Sequence, residues 1–320
     1  MSPRSSASPS PLPTQVVASC PVCGAVDLAP ASFGYRFADQ DFPAVRCPAC
    51  GLTFLARQPT AAGLTQIYDA AYFESDYHCG HEDTPYFAGE SEQVAAARVL
   101  LEWIERRVPP GRILVVGCAG GFFLMAAAER GWSPVGVEIS ASAARFGREE
   151  LRLDVRTGTL DSVELPGAGF DAAYLGDVLE HLPAPLAALR QVNRVLRPGG
   201  VLLVAGPVTL NSLDRRLGLL AYRVLKRTKT LRQPPYHLTE FTPQTLAGTV
   251  RRAGFDLLWI REQKIPPAWH NPRHRPPLEH GLKLLLDGPN WLLTRIAGCL
   301  GDRAILLAAK PACAERAPRA

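Results

Sequence analysis

Long apolar runs are absent from this chain of 320 residues: none approaches the roughly 18 to 20 residues that a membrane-spanning helix needs. The opening residues, MSPRSSASPSPLPTQ, also lack the apolar stretch of a secretory signal, so we expect a cytoplasmic protein without a transmembrane segment. Aromatic residues make up 8% of the chain, while the hydrophobic share of 47% is ordinary for a globular protein. The composition therefore favours a globular domain with a sizeable core.

A strong excess of charge of one sign is absent too. The formal net charge of +5 is mild for this length and does not by itself indicate a nucleic-acid-binding protein. Residues 1–18 are rich in Ser and Pro, which bury too little apolar surface to order a chain, so we predict a flexible tail there. We expect a second flexible tail at residues 311–320.

Cysteines are few, eight in all, and they are not spread like a disulfide framework. Two C-x2-C pairs, SCPVCGA and RCPACGL, lie about two dozen residues apart, and a Gly follows each pair. Such turns can present four thiolates tetrahedrally to one zinc ion in a reducing compartment; the alternative is four unligated buried cysteines. We therefore predict a zinc ribbon over residues 19–58. Its structural zinc ligands are Cys20, Cys23, Cys47 and Cys50. The HCGH segment at Cys79 has too few ligands for a second closed site.

The rest of the chain divides into a helical linker that also caps the cofactor and an alternating domain. In residues 59–110, apolar side chains recur at helical spacing until VPPG breaks the helix. From Arg112 onward strands and helices alternate, which is typical of an α/β fold with a parallel sheet over residues 111–310. The seven predicted strands are RILVVG, PVGVEIS, LDVRTGT, FDAAYLG, PGGVLLVAGP, FDLLWI and DRAILLAAK.

A nucleoside-binding turn is predicted where the first of these strands ends. ILVVGCAGG joins a strand to a helix through small residues, which let a polar ligand approach the backbone beside the helix N-terminus. Glu138 ends the second strand about twenty residues on, where a carboxylate can accept hydrogen bonds from ribose hydroxyls. Phe122 occupies the position of the third glycine in a dinucleotide fingerprint, which argues against NAD.

On these residues, the stretch from about Arg112 to Ile260 resembles a class I S-adenosylmethionine-dependent methyltransferase. TGTLDSVELP…GFDAAYLGDVLEHL, RVLRPGGVLLVAGP and HLTEFTPQTLAGTVRRAGF match further segments of that family in order. The resemblance implies a doubly wound, mostly parallel, seven-stranded Rossmann-like sheet after the small zinc ribbon, with S-adenosylmethionine as cofactor. The cofactor-binding residues it implies are Gly117, Ala119 and Gly121 in the turn, Glu138 at the ribose, Ile139 against the ribose or adenine, Leu160 against the adenine, and Asp177 near the methionine end or the acceptor.

Two positions depart from the family pattern. The acidic residue that usually lies two positions before the first glycine is replaced by Val115, which puts recognition of the cofactor's amino group in question. The middle glycine is Ala119, whose methyl group costs up to about 1 kcal/mol if its φ is positive. A binding module that has kept the fold and lost cofactor affinity is the alternative that Val115 supports.

The acceptor side is expected around an insertion after the fifth strand, at residues 208–237. Its apolar stripe of Leu213, Leu217, Leu220 and Val224, flanked by basic residues, indicates a lid, an anionic-substrate clamp, a membrane-surface helix, or a solvated helix with an inward stripe. GLKLLLDGPNWLLTRIAGCL is a second amphipathic stretch, more typical of packing or of a homodimer surface than of a membrane anchor. The candidate catalytic bases, needed only if a hydroxyl is methylated, are His237, His181 and Asp177.

The predicted function is transfer of a methyl group to a small-molecule or saccharide acceptor, with O-, N- and C-methylation left open. RCPACGLTFLARQPT…IYDAAYF resembles the zinc-ribbon segment joined to methyltransferases that modify sugars or natural products, although the large C-terminal domain of the sugar C-methyltransferases is absent. RNA methylation with the ribbon as the recognition element is the alternative. Against nucleic acid as a partner, LGDVLEHL lacks the Asn-Pro-Pro-aromatic tetrapeptide typical of base N-methylation.

Overall fold

The structure, a computed structural model, describes residues 10–68, 72, 90–265 and 277–312, and of residues 277–284 only the backbone. The HCGH segment at Cys79 and residues 69–71 and 73–89 of the predicted linker therefore lie outside the described residues. The N-terminal elements are β1 (Thr14–Val16), β2 (Ala29–Phe37), β3 (Gln40–Arg46), β4 (Thr53–Leu55), β5 (Arg57–Pro59), α1 (Ala61–Ile67) and α2 (Glu90–Glu105).

The predicted flexible tail over residues 1–18 is too long. Thr14–Val16 forms β1 and pairs antiparallel with β5, because its backbone groups find a complete ladder partner in Arg57–Pro59. The side chain of Leu12 is buried beside the hairpin of β2 and β3, where Gln40 hydrogen-bonds both its N–H and its C=O. One apolar side chain and a short ladder thus order this segment despite its composition.

From residue 112 the chain alternates as predicted. The elements are β6 (Arg112–Val116), α3 (Phe122–Glu129), β7 (Ser133–Glu138), α4 (Ala141–Glu149), β8 (Val155–Thr157), β9 (Phe170–Gly176), α5 (Pro185–Val195), β10 (Leu196–Pro207), α6 (Leu213–Val224), β11 (Lys229–Leu231), β12 (Thr239–Glu240), α7 (Pro243–Arg252), β13 (Asp256–Gln263), α8 (Pro277–Ala297) and β14 (Arg303–Ala309).

All seven predicted strands form one central sheet in the order β13-β14-β10-β9-β6-β7-β8. The five strands from β10 to β8 run parallel, whereas β14 is antiparallel to both of its neighbours. Ile113 and Leu114 of β6 and Leu202 and Leu203 of β10 are fully buried, as expected for strands covered on both faces. The doubly wound, mostly parallel sheet is confirmed.

The predicted linker helix packs on this sheet through the stripe read from the sequence. In α2, Val94, Ala97, Leu101 and Ile104 are all buried, and α2 packs along α3. Beyond the stripe, the Nε–H of Arg130 donates to Glu105 at 2.8 Å, which ties the ends of the two helices.

A second sheet joins the N-terminal region to the insertion after β10. Its order is β11-β2-β3-β4-β12. Strand β11, within the insertion, and strand β12, just after it, therefore form the two edges around the N-terminal strands β2, β3 and β4. The buried residues Cys47, Leu52 and Phe54 belong to the same apolar core as Phe241 and Leu246 of the central domain. Residues 19–58 are thus packed into the rest of the chain and share a core with it.

Candidate active site

The predicted cofactor turn lies between β6 and α3 and is built on backbone of positive φ. Gly117, Ala119 and Gly121 have φ values of 63°, 48° and 101°. A Cβ on Gly117 would lie 2.4 Å from Cγ2 of Val178, so this position has neither the conformation nor the space for a side chain. Ala119 does adopt the left-handed conformation, at a cost of about 1 kcal/mol.

The carboxylate of Glu138 closes this turn from the end of β7. The backbone N–H of Ala119 donates to its Oε2 at 2.9 Å, and that of Ser140 donates to its Oε1 at 2.8 Å. Burial raises the pKa of Glu138, and these backbone hydrogen bonds oppose that rise. Each oxygen retains lone pairs for a further donor, so the group can accept two ribose hydroxyls beside the turn.

The two predicted adenine contacts lie at the same edge of the sheet. Ile139 directly follows Glu138 and is half-buried, and Leu160 is buried just after β8. The N–H of Gly158 donates to the backbone oxygen of Glu138 at 2.7 Å, which holds the loop after β8 against the end of β7. The geometry therefore brings both apolar side chains to the edge that carries the carboxylate.

Val115 offers no substitute for the family's acidic residue. Its side chain is 2% exposed and packs in an apolar cluster with Leu124 and Val155. The neighbouring position on β9 is Tyr174, whose ring stacks on Phe123 at 4.0 Å between centroids. Apolar packing has replaced the carboxylate at this position.

On the acceptor side, the two predicted histidines and the glutamate next to one of them lie close together. Glu180 and His181 lie in a 3-10 turn after β9, and His237 lies just before β12; single ligand atoms of the three lie within 4.8 Å of one another. The N–H of Leu238 donates to the backbone oxygen of Glu180 at 2.9 Å, which fixes the return of the insertion on the end of β9. Residues far apart in sequence thus form one polar cluster at the carboxyl end of the sheet.

His237 is held by a buried carboxylate. Its Nδ1 lies 3.3 Å from Oε1 of Glu240, which also accepts from Tyr35 Oη at 3.3 Å, while Thr209 Oγ1 donates to Oε2 at 2.8 Å. Burial favours the neutral ring, but the hydrogen bond and charge of Glu240 prevail and raise the pKa of His237 to about 9. Burial likewise opposes ionisation of Glu240, yet His237 holds its pKa below the usual range. The pair is an imidazolium and a carboxylate at neutral pH.

His181 has the opposite character. Its Nδ1 lies 2.7 Å from the carbonyl oxygen of Tyr236 and 2.9 Å from Tyr68 Oη. A carbonyl only accepts, so Nδ1 carries the proton and Nε2 presents its lone pair, 3.6 Å from Glu180 Oε1. Burial lowers the pKa of His181 to about 4 and raises that of Glu180 to about 8. At neutral pH this second pair is uncharged.

Asp177, the third candidate base, is engaged in an ion pair. Its backbone has a φ of 52° at the end of β9, and its carboxylate lies 2.8 Å from an Nη of Arg303. The attraction of Asp177 raises the pKa of Arg303. The Asp177 carboxylate is therefore engaged with a cation at the end of β9.

The four predicted zinc ligands also come together. Sγ of Cys20 lies 3.5 Å from Sγ of Cys50, Sγ of Cys23 lies 3.5 Å from Sγ of Cys47, and all four lie within 4.8 Å of one another. Zn–S bonds of about 2.3 Å in a tetrahedron require Sγ–Sγ distances of about 3.8 Å, so the donor set suits zinc. The glycines of both turns have φ near 80°, at Gly24 and Gly51.

The comparisons with known proteins agree with this geometry. Residues 89–259, more than half of the chain, match the family described as a methyltransferase domain. The chain belongs to this methyltransferase family. It is 29% identical over 183 residues to the ubiquinone biosynthesis O-methyltransferase of Xanthomonas campestris pv. campestris (strain B100), covering 54% of this chain and 74% of that protein. It is 28% identical over 186 residues to the same-named enzyme of Xylella fastidiosa (strain 9a5c), covering 54% and 72%.

A solved structure shares the fold of this methyltransferase. The crystal structure of the [4+2]-cyclase SpnF superposes with a TM-score of 0.50 at 21% identity, covering 79% of this chain and 98% of that one. The family match confirms S-adenosylmethionine-dependent methyl transfer as the activity predicted from the sequence.

Several polar residues around the histidines were not predicted from the sequence. Glu180, Glu240, Tyr68 and Arg303 reach the site from four separate segments, and the matching segments assign none of them a role. The position of Glu180 beside His181 is the one local signal, since a Glu-His pair directly after a parallel strand lies at the ligand-binding edge. The partners of His237 and Asp177 depend on chain packing alone.

Proposed function

We propose that this methyltransferase methylates a hydroxyl group of a small aromatic molecule and that His237, paired with Glu240, takes up the hydroxyl proton. The observation that carries the proposal is the His237–Glu240 pair, which lies at the carboxyl ends of β9 and β10. Glu138 lies at the carboxyl end of β7 in the same sheet. Both relatives described above are named O-methyltransferases, which supports oxygen as the methylated atom.

The cofactor would be held by the turn and the edge residues. S-adenosylmethionine supplies an electrophilic methyl group on a sulfonium. The backbone of Gly117, Ala119 and Gly121 gives room for its polar tail, and Glu138 orients the ribose, with Ile139 and Leu160 against the base. Because methyl transfer is an in-line displacement, most of the acceleration comes from positioning and from exclusion of water. Asp177, fixed by Arg303, would orient the methionine end or the acceptor.

His237 is preferred to His181 as the base for two reasons. Its side chain is 26% exposed, whereas that of His181 is 16% exposed and already bonded at Nδ1. Its carboxylate partner also makes it the stronger proton acceptor once the ring is neutral. The proton of the acceptor hydroxyl moves to His237, and the resulting imidazolium is stabilised by Glu240.

An aromatic acceptor is favoured over a saccharide by the ring cluster at the site. Tyr68 and the backbone of Tyr236 contact His181, and Tyr72 packs on both tyrosines, with centroids 5.0 Å from Tyr68 and 5.5 Å from Tyr236. Such faces and edges pack well on a flat ring. A phenol also loses its proton more readily than a sugar hydroxyl, which suits a single histidine base.

We further propose that the four cysteines hold a structural zinc ion in the reducing cytoplasm. The support is the tetrahedral spacing of four Sγ atoms that are not joined in disulfides. The zinc would act on the reaction only through packing, because β4 follows the second cysteine pair and holds β12 beside His237.

A transfer assay with methyl-labelled S-adenosylmethionine tests the acceptor. Catechols and other phenols, saccharides and RNA are supplied in parallel, and the label is followed into each. We expect labelled aromatic ethers. Label in RNA or in saccharides alone would refute the proposed acceptor class.

A further inference from the structure

Helix α6 exposes its apolar stripe. Leu217, Leu220 and Val224 recur at helical spacing, and Leu220 and Val224 are 56% and 72% exposed. The helix contacts the N-terminal core instead through Leu219, on another face. Three of the four residues of the predicted stripe therefore face outward, whereas Leu213 is half-buried. The alternative of a solvated helix with an inward stripe is wrong for these three.

Helix α8 has the same inverted pattern. Leu285, Leu292 and Ile296 share one face and are 71%, 51% and 76% exposed. The opposite face buries Asp287 and Thr294, and Asp287 forms an ion pair with the buried Lys264 at 3.2 Å. Thus α8 contacts the domain through buried polar groups, whereas Leu285, Leu292 and Ile296 are exposed.

The two helices pack against each other, so the two apolar stripes belong to one region of the surface. We call this region the α6–α8 face; its members are Leu217, Leu220, Val224, Leu225, Leu285, Leu292, Leu293 and Ile296. All eight side chains are exposed. A cluster of this size marks a surface that is covered by something apolar in use.

The charge around the face identifies what covers it. Residues 213–232 contain seven basic residues and a single acidic one, Asp214, whereas the whole chain has a net charge of only +5. Arg216, Arg223, Lys226 and Arg227 are exposed on or directly after α6. An apolar stripe rimmed by cations is the arrangement by which helices lie in the surface of an anionic bilayer.

We propose that the α6–α8 face docks this methyltransferase on an anionic lipid bilayer, with the leucines in the acyl boundary and the cations at the headgroups. Among the described residues no helix is long and apolar enough to cross a bilayer, so the contact is peripheral. A second copy of the chain is disfavoured, because a symmetric dimer through this face would oppose two strongly basic segments.

The α6–α8 face lies close in the chain to the residues of the acceptor side. The same insertion that carries α6 returns to His237, and Thr209, just before α6, donates to Glu240. A docked enzyme would thus hold its acceptor side close to the lipid surface. The docking does not depend on which acceptor is methylated or on which residue is the base.

Vesicle co-sedimentation of the full chain tests the proposal. Vesicles of phosphatidylcholine with about 30 mol % phosphatidylglycerol should bind the protein at least tenfold more tightly than pure phosphatidylcholine. Leu220→Glu/Val224→Glu should lower binding to the anionic vesicles at least tenfold, because both side chains would leave the acyl boundary. Arg223→Ser/Lys226→Ser should lower it about twentyfold at low salt and much less at high salt.

Val99→Glu is the matched control, since Val99 is 52% exposed on α2, away from the face. It should bind vesicles as the wild type does. All variants should keep the wild-type melting temperature and the turnover of a soluble acceptor, which separates this test from that of the reaction. Equal binding of wild type and Leu220→Glu/Val224→Glu would overturn the proposal. So would a dimer in analytical ultracentrifugation that this variant abolishes, combined with no vesicle binding.

Discussion

Thr239 pairs with Phe54 in an antiparallel ladder, so the strand that follows His237 is hydrogen-bonded to the strand that follows the second cysteine pair. The same short strand carries Glu240, the partner of His237. The four-cysteine unit and the acceptor side of the methyltransferase are therefore parts of one packed structure. A metal held by the four cysteines would support β4 and, through this ladder, the strand that carries the partner of His237.

Removal of one zinc ligand should first affect the acceptor side. We expect Cys47→Ser to lose the metal, which elemental analysis should find at about one ion per wild-type chain. Without it β4 loses its support, so turnover should fall at least tenfold, while S-adenosylmethionine binding to the central sheet changes by less than about threefold. Cys299→Ser, at a half-buried cysteine outside the cluster, is the control and should behave as the wild type. A metal-free wild type, purified without chelator, would contradict the prediction.

Cofactor affinity should depend on Glu138. Its carboxylate can accept from ribose hydroxyls, and a hydrogen bond to a charged group contributes about 1.5 to 3 kcal/mol. Glu138→Ala should therefore weaken binding of S-adenosylmethionine at least tenfold in calorimetric titration. Glu149→Ala, at an exposed position on α4, should leave it unchanged. Equal affinities of both variants would mean that the ribose lies elsewhere.

The cofactor turn should not tolerate a side chain at Gly117. Its φ of 63° and the 2.4 Å approach of a Cβ to Val178 predict that Gly117→Ala destabilises the fold by about 2 kcal/mol or more. Denaturant unfolding measures this loss. Gly248→Ala is the matched control in α7, where a Cβ meets nothing within 4 Å, and it should stabilise the fold by about 0.5 to 1 kcal/mol. A Gly117→Ala variant as stable as the wild type would show that the turn is misplaced.

The pH dependence of turnover should distinguish the two histidines. The base must be neutral, and Glu240 raises the pKa of His237 to about 9, so kcat/KM should rise with pH until about 9 and then level off. If His181 were the base, its pKa of about 4 would leave the rate flat over the neutral range. A flat profile on a hydroxyl acceptor would therefore exclude His237.

Substitution of the pair should move this profile. Glu240→Gln removes the charge that holds the proton on His237, so the rise should shift to lower pH and the plateau rate should fall. His237→Ala should lower turnover about 100- to 10,000-fold with cofactor affinity nearly intact. A melting-temperature loss with unchanged turnover would instead assign His237 a structural role.

The sequence by itself determined the elements whose signals are local. Strand–helix alternation from Arg112, the glycine turn before α3 and the two C-x2-C turns each depend on residues that are neighbours in the chain, and the structure has all of them. At residues 14–16 the local composition predicts a flexible tail, but ladder pairing with β5 orders the segment.

Only the tertiary structure decided which segments meet. The ion pair of Asp177 with Arg303 joins residues 126 positions apart, and the ring of His181 is fixed by the backbone of Tyr236, 55 positions away. Helical spacing likewise indicates that α6 has an apolar stripe, but it carries no information on whether the stripe faces the core or the solvent. Which face is buried depends on the free energy of packing the whole chain. Leu219 and the polar face of α8 contribute to that free energy, and no short segment of the sequence encodes it.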